Sequence, residues 1–276
     1  MKPATGIGIG VAAAGILLGA LMGGTSPAAF IDIPAFLIVL VGTSGVTMAS
    51  VGMASMKNIP TLYKLVIGPP ELDVPERVAL LVSLAEQARR EGLLALDGRV
   101  NEIDDNYTRK GLQMVVDGID PDLVADVMEA EIEAMSGRHK VGASMFEKAG
   151  GFAPTMGIVG TVMGLVHVLQ NLSSPSSLGP AISGAFIATL LGIGSANVIY
   201  LPISNRLKQL SAEEVELRRL TLDGILAVQA GDNPRVVSER LSSYIPPEQR
   251  NTGDDGAEVT GIGNAGTEQQ QQAAAA

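Results

Sequence analysis

Four stretches of the chain are apolar almost without interruption, at about residues 5–22, 33–56, 152–172 and 181–203, and the segments between and after them are mixed. A helix rises about 1.5 Å per residue, so about 20 residues cross the roughly 30 Å hydrocarbon core of a bilayer. None of the four stretches carries Asp, Glu, Lys or Arg in its interior. Strand-like alternation is not persuasive anywhere. The pattern predicts an all-α fold: a polytopic membrane protein with four transmembrane helices and a helical cytoplasmic domain.

The polar segments divide the rest. Residues 57–149 are too polar to enter lipid and read as helical. Asp73 is a candidate cap for a helix with Pro75 and Glu76 in its first turn, running through ERVALLVSLAEQARREGLLALDGRV as one element. A second helix starts at Asp120-Pro121, runs through DLVADVMEAEIEAMSGRHK and leads almost directly into the third span near Gly150-Gly151. After the fourth span, NRLKQLSAEEVELRRLTLDGILAV continues as a helix; Gly231 and Asn233-Pro234 end it, and a short helix near residues 236–243 follows. The expected organisation is transmembrane helices 1 and 2 in 1–56, a cytoplasmic helical domain in 57–149, transmembrane helices 3 and 4 in 150–203, and cytoplasmic C-terminal helices in 204–250. Residues 251–276, rich in Gly, Asp, Gln and Ala and closing in QQQQAAAA, have no apolar face to bury and are expected to be a disordered tail.

Charge fixes the direction of the spans. Of 19 Lys and Arg, one precedes the first span, 11 lie between residues 57 and 148, and seven between 206 and 250; the connectors 23–32 and 173–180 hold none. By the positive-inside rule both termini and the middle segment face the cytoplasm. A cleaved signal peptide is the competing reading of the N-terminus: Lys2, an apolar run, then small residues around Thr25-Ser26-Pro27-Ala28-Ala29. Cleavage would leave three spans and break the charge symmetry. The Gly6-x-Gly8-x-Gly10 run follows no strand, so close helix packing accounts for it better than a dinucleotide loop.

Composition removes other classes. Mean hydropathy is +0.30, high for a soluble domain. With no Cys there is no disulfide, thiolate metal site or cysteine nucleophile. No Trp, 3% aromatics and a net charge of −10 argue against nucleic acid. The two histidines, His139 and His167, are distant in sequence and compose neither a metal site nor a catalytic triad, so no enzyme, catalytic residue or bound cofactor is expected. His139, beside Arg138 and Lys140, reads as solvated.

The third and fourth spans hold the candidate chemistry. Pro154, Gly157, Thr161 and Gly164 share one helical face, and Ala185, Thr189, Gly192 and Ala196 share another. Small residues permit close approach, and the hydroxyls add polarity. A membrane threonine commonly bonds to its own helix backbone, which fits packing alone. Two on adjacent small-residue faces also fit a wet path. His167, near the outer end of the third span, fits an interfacial position better than a proton relay. A proton or sodium path through lipid usually needs a titratable or anionic group to hold the ion, and these spans supply hydroxyls and prolines but no acid. Either there is no path, or another polypeptide brings the carboxylate.

The segments AGGFAPTMGIVGTVMGLVHVL, IATLLGIGSANVIYLPISNRL and ILAVQAGDNPRVVSERLSSYIPPEQR, with four spans and a long loop after the second, resemble the MotA family of flagellar stator subunits over about residues 1–250. The resemblance implies a single-span MotB-like partner that supplies an intramembrane Asp and grips peptidoglycan, with five MotA-like chains around two MotB spans. It implies a bacterial inner-membrane location, and ion flow that drives the rotor protein FliG. By motif, Pro154 and Pro202 match the family's coupling prolines, and Thr161 and Thr189 its channel-lining hydroxyls. QARREGLLALD matches the torque region, with Arg89 in place of the family arginine, Arg90 beside it, and Asp97 where the acid is usually Glu. On a continuous helix Arg89 and Asp97 would lie about 12 Å apart, too far to neutralise each other. Sodium-driven, PomA-like members tend to carry an extra hydroxyl where this chain has Ala188, so the transported ion is expected to be H+ rather than Na+. The related TolQ/ExbB proteins have three spans with the large loop after the first; two spans before the loop favour MotA. A passive structural membrane protein is the rival from another class.

Overall fold

A computed structural model describes residues 4–173 and 175–245, so the tail expected to be disordered lies outside the described residues. Among the described residues there is no strand. Helix α1 spans Ala4–Met22. Helix α2, Ile33–Val51, begins at Asp32, whose side chain accepts a hydrogen bond from the Ala35 amide at 2.8 Å, with Pro34 in the first turn. Gly52 takes φ +79°, a conformation open to glycine, and ends α2 short of the apolar stretch the sequence marks out to residue 56.

The cytoplasmic helices follow: α3 (Ile59–Ile67), α4 (Val74–Glu91) and α5 (Asn106–Val116). Asp73 caps α4, accepting from the Glu76 amide at 2.9 Å. The single helix expected through residue 100 does not form. Gly92 takes φ +87° and stops α4, and a 3-10 turn, Leu93–Leu96, leads into a helical turn, Asp97–Val100. The sequence reading also passed over α5. Its signals were Asp105, which accepts from the Thr108 amide at 3.2 Å, and an apolar stripe through Tyr107, Leu112, Val115 and Val116.

Two long helices organise everything else. Helix α6, Pro121–Gln170, has 50 residues, and α7, Pro175–Ala230, has 56. A 50-residue helix is about 75 Å long, more than twice the hydrocarbon thickness, so each continues well beyond the membrane. Helix α8, Pro234–Ser242, follows Gly231 at φ +69°. Helices α1, α2, α6 and α7 are each long and apolar enough to cross a membrane. In the cytoplasmic half, Leu81 and Leu84 of α4, Leu112 of α5, Met128 of α6 and Ile225 of α7 close a conventional core of large side chains. In the membrane half, the apolar window of α1 has no buried residue, and large side chains on α6 and α7 such as Val162 and Phe186 point outward.

Candidate functional site

Within the membrane, α6 and α7 run antiparallel, with Gly150 against Leu201 and Gly164 against Ala185. A Cβ on Gly157 would lie 2.9 Å from the Ala188 carbonyl oxygen, and one on Gly192 would lie 2.5 Å from that of Ala153. Only hydrogen fits at either position, because the obstacle is backbone. The two helices are therefore joined backbone to backbone.

That approach brings the two threonines together. Thr161 Oγ1 lies 3.0 Å from its own Gly157 carbonyl and 3.0 Å from the Ala185 carbonyl across the seam, and it is hydrogen-bonded to Thr189 Oγ1. A hydroxyl has one proton and two lone pairs. Thr161 can donate to only one carbonyl at a time, so the pair has several near-equivalent proton arrangements. The structure thus offers Thr161 both the own-helix acceptor that fits packing alone and a second acceptor across the seam.

The prolines lie apart. Pro154 interrupts α6 with no N–H, which leaves the Gly150 carbonyl without its helical donor. In α7, a π-helical segment, Ala196–Tyr200, ends two residues before Pro202, and the Leu201 amide between them donates to the Ala196 carbonyl. Pro202 lines a groove of ≈ 480 Å³ with Asn197, Asn205 and Arg206 and with Thr5 and Gly8 of α1.

At the end of the spans nearest the short connectors, His167 shares a cavity of ≈ 350 Å³ with Asp32, Gly160, Met163, Gly164 and Gly184. Asp32 packs on a bare glycine: a Cβ on Gly184 would lie 2.8 Å from Asp32 Oδ2. The sequence reading did not single out this carboxylate. Its signal is the Asp32-Ile33-Pro34 cap at the head of the second span. His139, expected to be solvated, is half-buried, with Nδ1 3.2 Å from Ser211 Oγ; the reading fails because α7 continues beside α6 at that depth.

Arg89, Arg90 and Asp97 are all exposed, but the turn at Gly92 lies between them, so the 12 Å helical spacing does not apply. Arg90 pairs with Glu86, whereas Arg89 and Asp97 make no ion pair among the described residues. Behind them Arg99 turns inward, with Nη2 3.2 Å from Ser83 Oγ. Arg77 donates to Asp105 at 2.6 Å and ties α4 to the start of α5. Burial opposes the Asp105 charge, but hydrogen bonds from Thr108 and Arg77 and the guanidinium charge outweigh it and hold the carboxyl below the usual range.

Fold and seam together define a helical membrane subunit whose small-residue helix pair carries hydroxyls. The MotA/TolQ/ExbB proton channel family model matches residues 99–219. The chain is 38% identical to motility protein A of Bacillus subtilis (strain 168), over 88% of this chain and 91% of that one. The flagellar MotAB stator complex from Bacillus subtilis superposes with a TM-score of 0.83 at 38% identity, over 88% of this chain and 96% of that chain. The C. jejuni MotAB structure superposes with a TM-score of 0.86 at 31% identity, over 91% and 98%. The chain belongs to the motility protein A family, the flagellar motor stator subunits, which are motor components and not enzymes.

Proposed function

We propose that this chain assembles with a MotB-like single-span partner in the bacterial inner membrane and converts an ion gradient into torque. The observation that carries the reading is the Thr161–Thr189 pair: mobile hydroxyl protons in a seam whose spans hold no acid in their interior. Hydroxyls can relay and solvate a proton but cannot store its charge. The partner's aspartate supplies that charge, with Thr161 and Thr189 lining the path beside it. The outward apolar faces of α1, α6 and α7 support packing against neighbouring copies and lipid, in a ring of five chains around two partner spans. With no Lys or Arg in the connectors, both termini lie in the cytoplasm.

H+ is the transported ion, with no bound cofactor. Ala188 sits fully buried in the seam beside Thr189, and a dehydrated Na+ needs several oxygen ligands where a proton needs an acid and a water chain. Pro154 and Pro202, each at a break in the helical hydrogen-bond ladder, supply the bending points that link protonation to movement. Arg89, Arg90 and Asp97 present exposed charge at the cytoplasmic end for the rotor protein FliG. Exposed pairs are worth about 0–1 kcal/mol, which suits a contact that forms and releases repeatedly. One elementary charge crossing 100 mV yields about 2.3 kcal/mol, comparable with a few such exchanges.

The test is complementation of a stator-deleted strain by this chain with a MotB-type partner. Motility should return, persist without sodium and stop with a protonophore. Dependence on sodium would overturn the ion assignment; no motility with a partner whose aspartate is intact would overturn the stator reading.

A further inference from the structure

Among the described residues from 68 to 122, one large apolar side chain is left in water: Leu94, 78% exposed. It belongs to the 3-10 turn that links the Arg89 end of α4 to Asp97. A single leucine on a surface is ordinary. This one differs because the backbone holds it out. In a 3-10 turn, side chains three residues apart eclipse one another. Leu93 and Leu96 form the inner face: Leu96 is fully buried in the cytoplasmic core, and Leu93 packs against that core. Leu94 and Asp97 form an outer face, and the Asp97 amide donates to the Leu94 carbonyl across the turn.

The turn is braced from behind. Gln87 Nε2 donates to the Ala95 carbonyl at 3.2 Å, Arg99 Nη1 donates to Gln87 Oε1 at 3.4 Å, and the same guanidinium reaches Ser83 Oγ. Turning Leu94 inward would expel Leu96 from the core and break this clasp. The chain therefore presents an apolar knob beside an exposed carboxylate that makes no ion pair among the described residues.

We infer that Leu94 is the apolar anchor of the rotor contact: it seats in an apolar socket on the rotor protein FliG, and the rim of that socket is basic on the side that meets Asp97. This rests on the stator reading above and names the chemistry of its rotor contact. Exposed charges are screened beyond about 8 Å at physiological ionic strength, so they steer the approach and select the partner. A leucine that leaves water on contact adds a hold that salt does not weaken. The clasp through Gln87 and Arg99 keeps the knob in place before contact, so little ordering is needed when the socket arrives.

The experiment places the full chain with its MotB-type partner in a stator-deleted strain and purifies the same complexes. It compares wild type with Leu94→Ser, Leu94→Met, Leu94→Glu and Leu94→Lys. Leu94 is no part of the core, so every variant should keep the Tm of the complex within about 1 °C, its elution volume and its proton uptake into liposomes. At equal membrane abundance, swimming speed should fall on the order of twofold or more in Leu94→Ser and stay near wild type in Leu94→Met. It should fall further in Leu94→Lys than in Leu94→Glu, because the lysine meets a basic rim. Unchanged swimming in Leu94→Ser would overturn the anchor. A fall in Leu94→Glu as large as that in Leu94→Lys would overturn the basic rim, and the socket described fails with it. A lowered Tm or a shifted elution volume in Leu94→Ser would mean that the side chain packs between copies of this chain, and the inference fails. If the wild-type chain itself does not restore swimming, the stator reading fails and takes this inference with it; if it does, the variants judge Leu94 alone.

Discussion

Helices α6 and α7 obey one packing rule in the cytoplasm and another in the membrane. In the cytoplasm they join α4, α5 and α8 around Leu81, Leu84, Met128 and Ile225, a core sealed by large side chains that leave water. In the membrane the same two helices meet through Gly157, Gly160, Ala188 and Gly192, at backbone distance. Lipid is as apolar as leucine, so burying large side chains there yields little, and close van der Waals contact takes over. The cytoplasmic half can tolerate a lost methylene group. The membrane half has no slack, and that closeness is what places Thr161 against Thr189.

The sharpest way to break this contrast is at Gly192. Gly192→Leu forces a side chain where the Ala153 carbonyl oxygen already stands, and it should abolish recovery of an intact complex on size-exclusion chromatography. Leu84→Ala, in the other core, should cost about 2–5 kcal/mol, seen as a lowered thermal midpoint by circular dichroism, with the spans still inserted. Thr189→Val keeps the shape of the seam. It should leave complex stability within about 1 kcal/mol and lower proton flux into vesicles, which separates chemistry from packing.

Asp105 gives a smaller, pH-dependent effect. Its carboxyl is held below the usual range when folded, so its stabilisation is complete above the ordinary carboxylate range and is lost as pH falls through the lowered value. The side chain is 37% exposed, so the gain stays below about 1 kcal/mol, and Asp105→Asn should flatten the acid limb of the thermal midpoint against pH. Smallest for folding is the charge reversal Arg89→Glu with Asp97→Arg. It should change stability by less than about 0.5 kcal/mol yet alter swimming, because neither side chain has an ion-pair partner within the described residues. Unchanged swimming speed would reject these residues as the rotor contact.

The membrane half was the more legible in sequence, because unbroken apolarity and uneven charge are long-range signals that single residues do not blur. The run from Asp120 into the third span emerges as one helix, α6, and the continuation past the fourth span as α7. What stayed hidden turns on tertiary contact. Gly92 lay inside a plausible helical pattern, and only its left-handed backbone shows that Arg89 and Asp97 belong to different elements. Asp32 looked like part of a connector until the fold set it beside His167 and Gly184. Thr43 and Thr47, buried with no hydrogen-bond partner for either Oγ1, were not singled out in the sequence, since no periodicity reveals whether a hydroxyl has found an acceptor.

The central claim is that this chain holds the hydroxyl half of an ion path and that the anionic half belongs to its partner. The direct measurement is proton uptake into liposomes holding the purified chain alone, the chain with a MotB-type partner, or the chain with that partner's intramembrane aspartate changed to asparagine. Uptake is expected with the intact partner only. Uptake by the chain alone, or undiminished uptake with the asparagine partner, would contradict it.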